Sequence, residues 1–82
     1  MNEYIATFHT HADALVSHRT LSSAGIAARM MPVPRKLSSS CGTCIRYTAD
    51  APSQQLLAED WEAIYQVTDG NVYTRVAQSD EE

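Results

Sequence analysis

The sequence predicts an α+β domain of the ferredoxin-like kind, a βαββαβ chain forming a two-layer sandwich with an antiparallel four-stranded sheet. Three observations predict it. Short runs rich in aromatic and β-branched residues alternate with stretches of helical period. Their order is strand, helix, strand, strand, helix, strand. Right-handed, unknotted links leave few other arrangements open to that order. The 82 residues suit one domain, since ~100–200 residues is the usual allotment. Residues 1–78 are read as that domain and 79–82 as an acidic, disordered tail.

The elements follow in turn. Tyr4 to Phe8 (Tyr-Ile-Ala-Thr-Phe) is the first strand. Thr10 offers an N-cap, with Asp13 three residues on as a capping-box partner. His11 to Ala24 then reads as a helix with Ala14, Leu15, His18 and Leu21 on one face, closed by Gly25 at the C′ position. Ile26 to Val33 is a second strand, placed at the sheet edge because Pro32 lacks an N–H. A polar loop runs from Pro34 through Ser40. Cys44 to Ala49 alternates cleanly and is the third strand. Pro52 and Ser53 open a second helix whose stripe is Leu57, Trp61, Ile64 and Tyr65. Asp69-Gly70-Asn71 is a turn, and Val72 to Ala77 is the last strand.

Composition narrows the function. Six Lys and Arg against ten Asp and Glu give a net charge of −4. A nucleic-acid binder normally carries a basic excess to displace counterions, so no nucleic-acid partner is expected. The apolar share of 44% is that of a globular chain. So small a domain buries only roughly 60–65% of its unfolded surface. Its thin core invites support from a homodimer interface, a metal or a bound group. No stretch approaches the ~20 apolar residues of a membrane span. Met1-Asn2-Glu3-Tyr4 carries an acid where a secretory signal carries Lys or Arg. Two cysteines are too few to staple a secreted mini-protein. A cytoplasmic protein is therefore expected.

The topology gathers the chemistry. In a split βαβ sheet the link after strand one and the link from strand two to strand three leave from the same end. His9-Thr10-His11, the Pro34–Cys44 loop and Asp69-Gly70-Asn71 are expected on one rim. The start of the first helix opens there, and its unpaired N–H groups favour an anion. Arg35, Lys36 and Arg46, three of the six basic residues, flank the cysteines in sequence. Such surroundings lower a thiol pKa and raise the thiolate fraction.

Cys41-Gly42-Thr43-Cys44 is the strongest motif. Thiolates are nucleophiles and metal ligands. The CxxC spacing lets both sulfurs face one point, which suits a disulfide, a sulfur relay or half a zinc site. The plainer alternative is two small apolar side chains near a turn. His9 and His11 suit a base, a proton donor or, with Cys41 and Cys44, a Cys2His2 metal set. The plainer alternative there is two polar residues at a strand end and a helix start. Ser38-Ser39-Ser40 supplies donors for an anion or thiolate, or is a polar loop. A thioredoxin-like CxxC belongs at a helix N-terminus, whereas this one runs into a strand. P-loop, GxGxxG, HExxH and Ser/His/Asp patterns are absent.

Beyond these motifs, Tyr4-Ile5-Ala6-Thr7-Phe8-His9-Thr10-His11, Asp13-Ala14-Leu15, Arg19-Thr20-Leu21 and Ala24-Gly25-Ile26 form a recognisable pattern. So, above all, does Met31-Pro32-Val33-Pro34-Arg35-Lys36-Leu37-Ser38-Ser39-Ser40-Cys41-Gly42-Thr43-Cys44. With these stretches the chain resembles a small bacterial family of selenium/sulfur carrier-like proteins, over roughly residues 3–77. The resemblance implies a compact α/β domain with a cysteine that carries sulfur or selenium. The family's Ser-Cys-Gly cysteine maps onto Cys41. The Cys-Pro-x-Pro motif of better-known sulfur-relay carriers is missing.

Three readings stand. In the first, Cys41 accepts sulfane sulfur or selenium as a persulfide-type group and hands it between donor and acceptor proteins, with no resident cofactor. Arg35, Lys36, Ser40, Thr10 and His9 bind the anion, and Cys44 is the second thiol. It is a carrier more than a turnover enzyme. In the second, Cys41, Cys44, His9 and His11 hold zinc or another metal. In the third, the sheet face without helices, with Tyr47 and Tyr73 on it, binds a partner or a second copy.

Overall fold

The computed structural model describes residues 1–79. Its element order is β1 (Asn2–Phe8), α1 (His11–Ser23), β2 (Ala27–Pro32), β3 (Thr43–Ala49), a 3₁₀ turn (Gln54–Leu56), β4 (Trp61–Thr68) and β5 (Val72–Gln78). The strands form one antiparallel sheet in the order β2-β3-β1-β4-β5. The α+β class holds, and β2 lies at the edge as its proline requires. Among the described residues the sheet has five strands rather than four, and there is one α-helix rather than two.

The first half follows local chemistry. Thr10 has extended backbone, and its side chain accepts the Asp13 N–H at 3.1 Å, capping α1. Gly25 closes the helix with φ 82°. Its N–H reaches Ser22 O at 3.0 Å, and the Ile26 N–H reaches Leu21 O at 3.0 Å, the two bonds of a Schellman stop. The buried stripe of α1 is Ala14, Ser17 and Leu21. Leu15, expected on that face, is 46% exposed instead.

The second half departs from expectation. Trp61, Ile64 and Tyr65, read as a helical stripe, lie on β4. Leu57 lies before it and plugs the core from the link. Asp69 and Gly70 explain why. Both have positive φ, 52° and 82°, the conformation that folds one strand back on the next. A strand must therefore precede the turn as well as follow it, and β1 offers β4 an open edge. The crossover from β3 to β4 keeps the split arrangement, with β1 paired between them. Residues 50–60 make that link without a second helix. It is fastened to α1 by the buried Ser17 hydroxyl, which accepts the Ala58 N–H at 2.7 Å.

Each face of the sheet carries a buried cluster. On the α1 side the main cluster includes Tyr4, Ala6, Phe8, Ala14, Leu21, Ile45, Tyr47 and Ile64. Tyr4 and Tyr47 oppose each other across β1 and β3 with ring centroids 5.5 Å apart. Tyr47, expected on the uncovered face, thus lies in the helix-side core, where its hydroxyl donates to Pro52 O. On the other face Ile5, Cys44 and Val67 are covered by Met31, Val33, Leu37 and Tyr73. The β2–β3 loop itself lies over the face that was expected to need a partner.

Of the tail expected at 79–82, residues 80–82 lie outside the described residues. The Ser79 N–H donates to Glu62 O at 3.1 Å. Among the described residues no helix is long and apolar enough to cross a membrane.

Candidate functional site around Cys41

Three segments meet at one end of the sheet. β1 ends there at Phe8, β3 begins there at Thr43, and β4 begins there at Trp61, which is paired with Phe8. The 9–11 segment and the loop before Cys44 therefore share a rim, and their side chains bridge it. Ser39 Oγ donates to Phe8 O at 3.0 Å. His11 Nδ1 lies 3.3 Å from Thr43 Oγ1. His9 Nδ1 lies 3.5 Å from Ser40 Oγ. Gly42, at φ 74°, turns the chain from Cys41 into β3, a conformation that strains other residues. Its carbonyl accepts the Val33 N–H at 3.1 Å, pinning the loop's two ends together.

Sequence reasoning missed the carboxylate. Ser40 Oγ donates to Glu62 Oε2 at 2.9 Å, and the Ser40 N–H reaches Glu62 Oε1 at 3.4 Å. Glu62 Oε2 also lies 3.6 Å from His9 Nδ1. Glu62 sat inside the expected second helix, so only its place at the start of β4 brings it here. The Asp69-Gly70 turn signal was the clue that would have found it. The rim thus carries two imidazoles and an acid, rather than the purely electropositive surroundings expected.

Two of the three residues of the expected basic flank are engaged elsewhere. Lys36 reaches across the sheet and donates from Nζ to Asn71 O at 3.3 Å. Arg46 Nε lies 2.6 Å from Glu3 Oε2, and its NH2 group donates to Gly70 O at 3.3 Å. The Asp69-Gly70-Asn71 turn is itself at the opposite end of the sheet, since Thr68 is followed by the turn while Val67 pairs with Glu3. It was expected on the thiol rim. Arg35 is exposed on the loop. Thr10 has its hydroxyl engaged in the helix cap.

The two thiols have different surroundings. Neither is in a disulfide. Cys41 is half-buried, packs against the helix-side cluster, and its Sγ lies 3.5 Å from Thr43 O as a donor. Cys44 is completely enclosed on the other face, its Sγ donating to Pro32 O at 3.6 Å. Alternation along β3 explains the split, since Cys44 and Ile45 must point to opposite faces. Burial pushes the Cys44 thiol up to about 11, with Arg46 pulling the other way and Cys41 adding a smaller upward push. Cys41 thus packs with the helix-side cluster and Cys44 with the cluster on the other face. Among the described residues no three or more His, Cys, Asp or Glu side chains are grouped to hold a metal ion. His11 turns to Thr43, and His9 to Ser40 and Glu62.

The rim thus carries a half-buried thiol between Ser40 and Thr43, the residues that meet the imidazoles of His9 and His11. The family described as "Putative Se/S carrier protein-like" matches residues 3–65. A relative, the "Uncharacterized protein YtiA" of Escherichia coli (strain K12), is 30% identical over 76 residues, covering 85% of each chain. No solved structure matches the chain.

Proposed function

We propose, from the premise that the chain belongs to this Se/S carrier protein-like family, that Cys41 carries one sulfane sulfur or selenium atom between a donor and an acceptor protein. The observation that supports this reading is the asymmetry of the two thiols. Cys41 is half-buried on a rim with His9, His11, Ser40 and Glu62. Cys44 is sealed and held protonated by burial. A carrier cysteine has to meet two partners in turn, so it has to be the reachable one.

Loading is an exchange at sulfur. The Cys41 thiolate attacks the outer sulfur of a donor persulfide. The Cys41–S bond forms, the donor's S–S bond breaks, and the donor leaves as a thiolate. Unloading is the same step with an acceptor thiolate attacking and Cys41 leaving. Atoms and electrons balance without a further oxidant, and selenium takes the same course. Rates in such exchange follow thiolate fraction and leaving-group acidity. A thiol on the rim needs its proton removed first, and the imidazoles of His9 and His11 suit that role. Glu62 and Ser40 hold the His9 side of the loop in place.

Cys44 fits a packing role better than that of a second thiol for release. Sealed under Val33 and Leu37, it would reach a group on Cys41 only if the loop lifted. This makes the one-thiol course the preferred one.

Intact mass after incubation with a persulfide donor tests the reading. One added sulfur is expected on the wild type and on Cys44→Ser, and none on Cys41→Ser. An equal adduct on Cys41→Ser, or none on the wild type, rejects it.

A further inference from the structure

Strand pairing lines up one residue from each strand across the sheet. Arg29 of β2 faces Arg46 of β3, Arg46 faces Ile5 of β1, Ile5 faces Tyr65 of β4, and Tyr65 faces Arg75 of β5. The row lies on the face away from α1. Ile5 packs there with Cys44, Met31 and Tyr73, which are two positions along their strands from Arg46, Arg29 and Arg75 and so share their face. Lys36 joins from the loop that covers this face, reaching Asn71 O. Four of the six Lys and Arg, namely Arg29, Lys36, Arg46 and Arg75, are thus collected on one side of a chain of net charge −4.

Arg29 directly opposite Arg46 is a repulsive pair. Glu3 offsets part of it. Its carboxylate takes the Arg46 hydrogen bond, and it is held below its usual range first by that bond, against the opposing effect of burial, with lesser help from the charges of Arg46 and Arg29. One carboxylate between two guanidiniums leaves a positive remainder, and Arg29 and Arg75 are exposed at the two flanks of the row. Among the described residues Asp69 lies in the β4–β5 turn that Arg46 and Lys36 reach, so four cations face two carboxylates there; Asp13 is on α1, Asp50, Glu59 and Asp60 are on the β3–β4 link, and Glu62 is on the Cys41 rim. Opposite charge separated onto different sides of a small protein steers and orients an approaching partner.

We propose that the sheet face away from α1 is a docking surface for a protein partner with an acidic patch, engaged by Arg29, Arg75 and Lys36 around the Arg46–Glu3 pair. A nucleic acid suits the face less well. Tyr65 and Tyr73 are half-buried, with Tyr73 packed into the second core cluster, so they make no open platform for stacking bases. The docking surface is separate from the Cys41 rim and stands whether or not that thiol carries a chalcogen.

The test uses the full chain, isotopically labelled for amide spectra, with a short Glu-rich peptide as probe and a single-stranded oligonucleotide beside it. The peptide is expected to shift amides of β2, β3, β5 and Lys36, and not those on the outer side of α1. Its affinity is expected to fall severalfold between about 50 mM and about 300 mM salt. Arg29→Gln with Arg75→Gln is expected to weaken binding about tenfold, while Arg19→Gln on α1 leaves it unchanged. Equal affinity in the double variant, shifts centred on α1, no binding at low salt, or a preference for the oligonucleotide each overturns the proposal. Amide spectra of every variant verify that the fold is intact.

Discussion

Alkylating the folded protein at pH 8 separates its two thiols. Cys44 has no exposed surface, and burial lifts its pKa from 9.0 to about 11. A thiol of pKa 9.0 is about one-tenth thiolate at pH 8, and one of pKa about 11 is about one-thousandth thiolate. Ionisation alone therefore slows Cys44 about 100-fold relative to the unfolded chain, before any effect of access. In timed iodoacetamide labelling read by mass spectrometry, Cys41 is modified first and Cys44 only once urea opens the fold. The same shift gives a pH dependence. The folded state keeps a proton that the unfolded state releases, so the contribution to stability is whole below pH 9.0 and is lost as the pH rises toward about 11. Two pKa units correspond to about 2–3 kcal/mol. Urea midpoints for the wild type fall across that window, and Cys44→Ala loses most of this fall. Labelling of Cys44 at the rate of Cys41 in the native protein, or an unchanged slope in Cys44→Ala, refutes the reasoning.

Two further variants probe the fold. Ser17→Ala removes the acceptor of the Ala58 N–H inside the helix–link junction. Losing that part-buried hydrogen bond is expected to cost about 0.5–1.5 kcal/mol; a wild-type urea midpoint in the variant contradicts this. Glu3→Gln breaks the pair with Arg46, whose hydrogen bond lowers the Glu3 pKa from 4.5. Because that pKa is depressed in the folded state, the stabilisation is present above pH 4.5 and is lost as the pH falls through the lower folded value. The Glu3 side chain is 40% exposed, so the difference at pH 7 is about 0–1 kcal/mol. It shrinks on acidification, and a difference that grows instead counts against the assignment.

The first half of the chain was readable because its signals are local. Thr10 with Asp13 marks a helix start, Gly25 its stop, and Pro32 an edge strand. Each acts through bonds within a few residues. Trp61 to Thr68 was not readable in the same way. Ala63 and Ile64 are both buried although they point to opposite faces, so the apolar–polar alternation of a one-sided strand is missing. Leu57, Trp61, Ile64 and Tyr65 then mimic a helical stripe. The left-handed pair Asp69 and Gly70 was the local feature that argued for strands on both sides.

For the site, the sequence by itself determined, through chain order, that His9, His11 and the Cys41 loop meet at one end of the sheet. Tertiary structure alone decided the rest. Lys36 and Arg46 left the thiol because a long side chain follows the face its backbone assigns it, and theirs leads to the β4–β5 turn. Glu62 arrived because β4 pairs with β1. Cys41 and Cys44 parted because the chain between them enters a pleated strand, whose neighbouring side chains point to opposite sides of the sheet. Spacing along a chain sets how far apart two sulfurs are in sequence; only the strand they enter sets the direction each one faces.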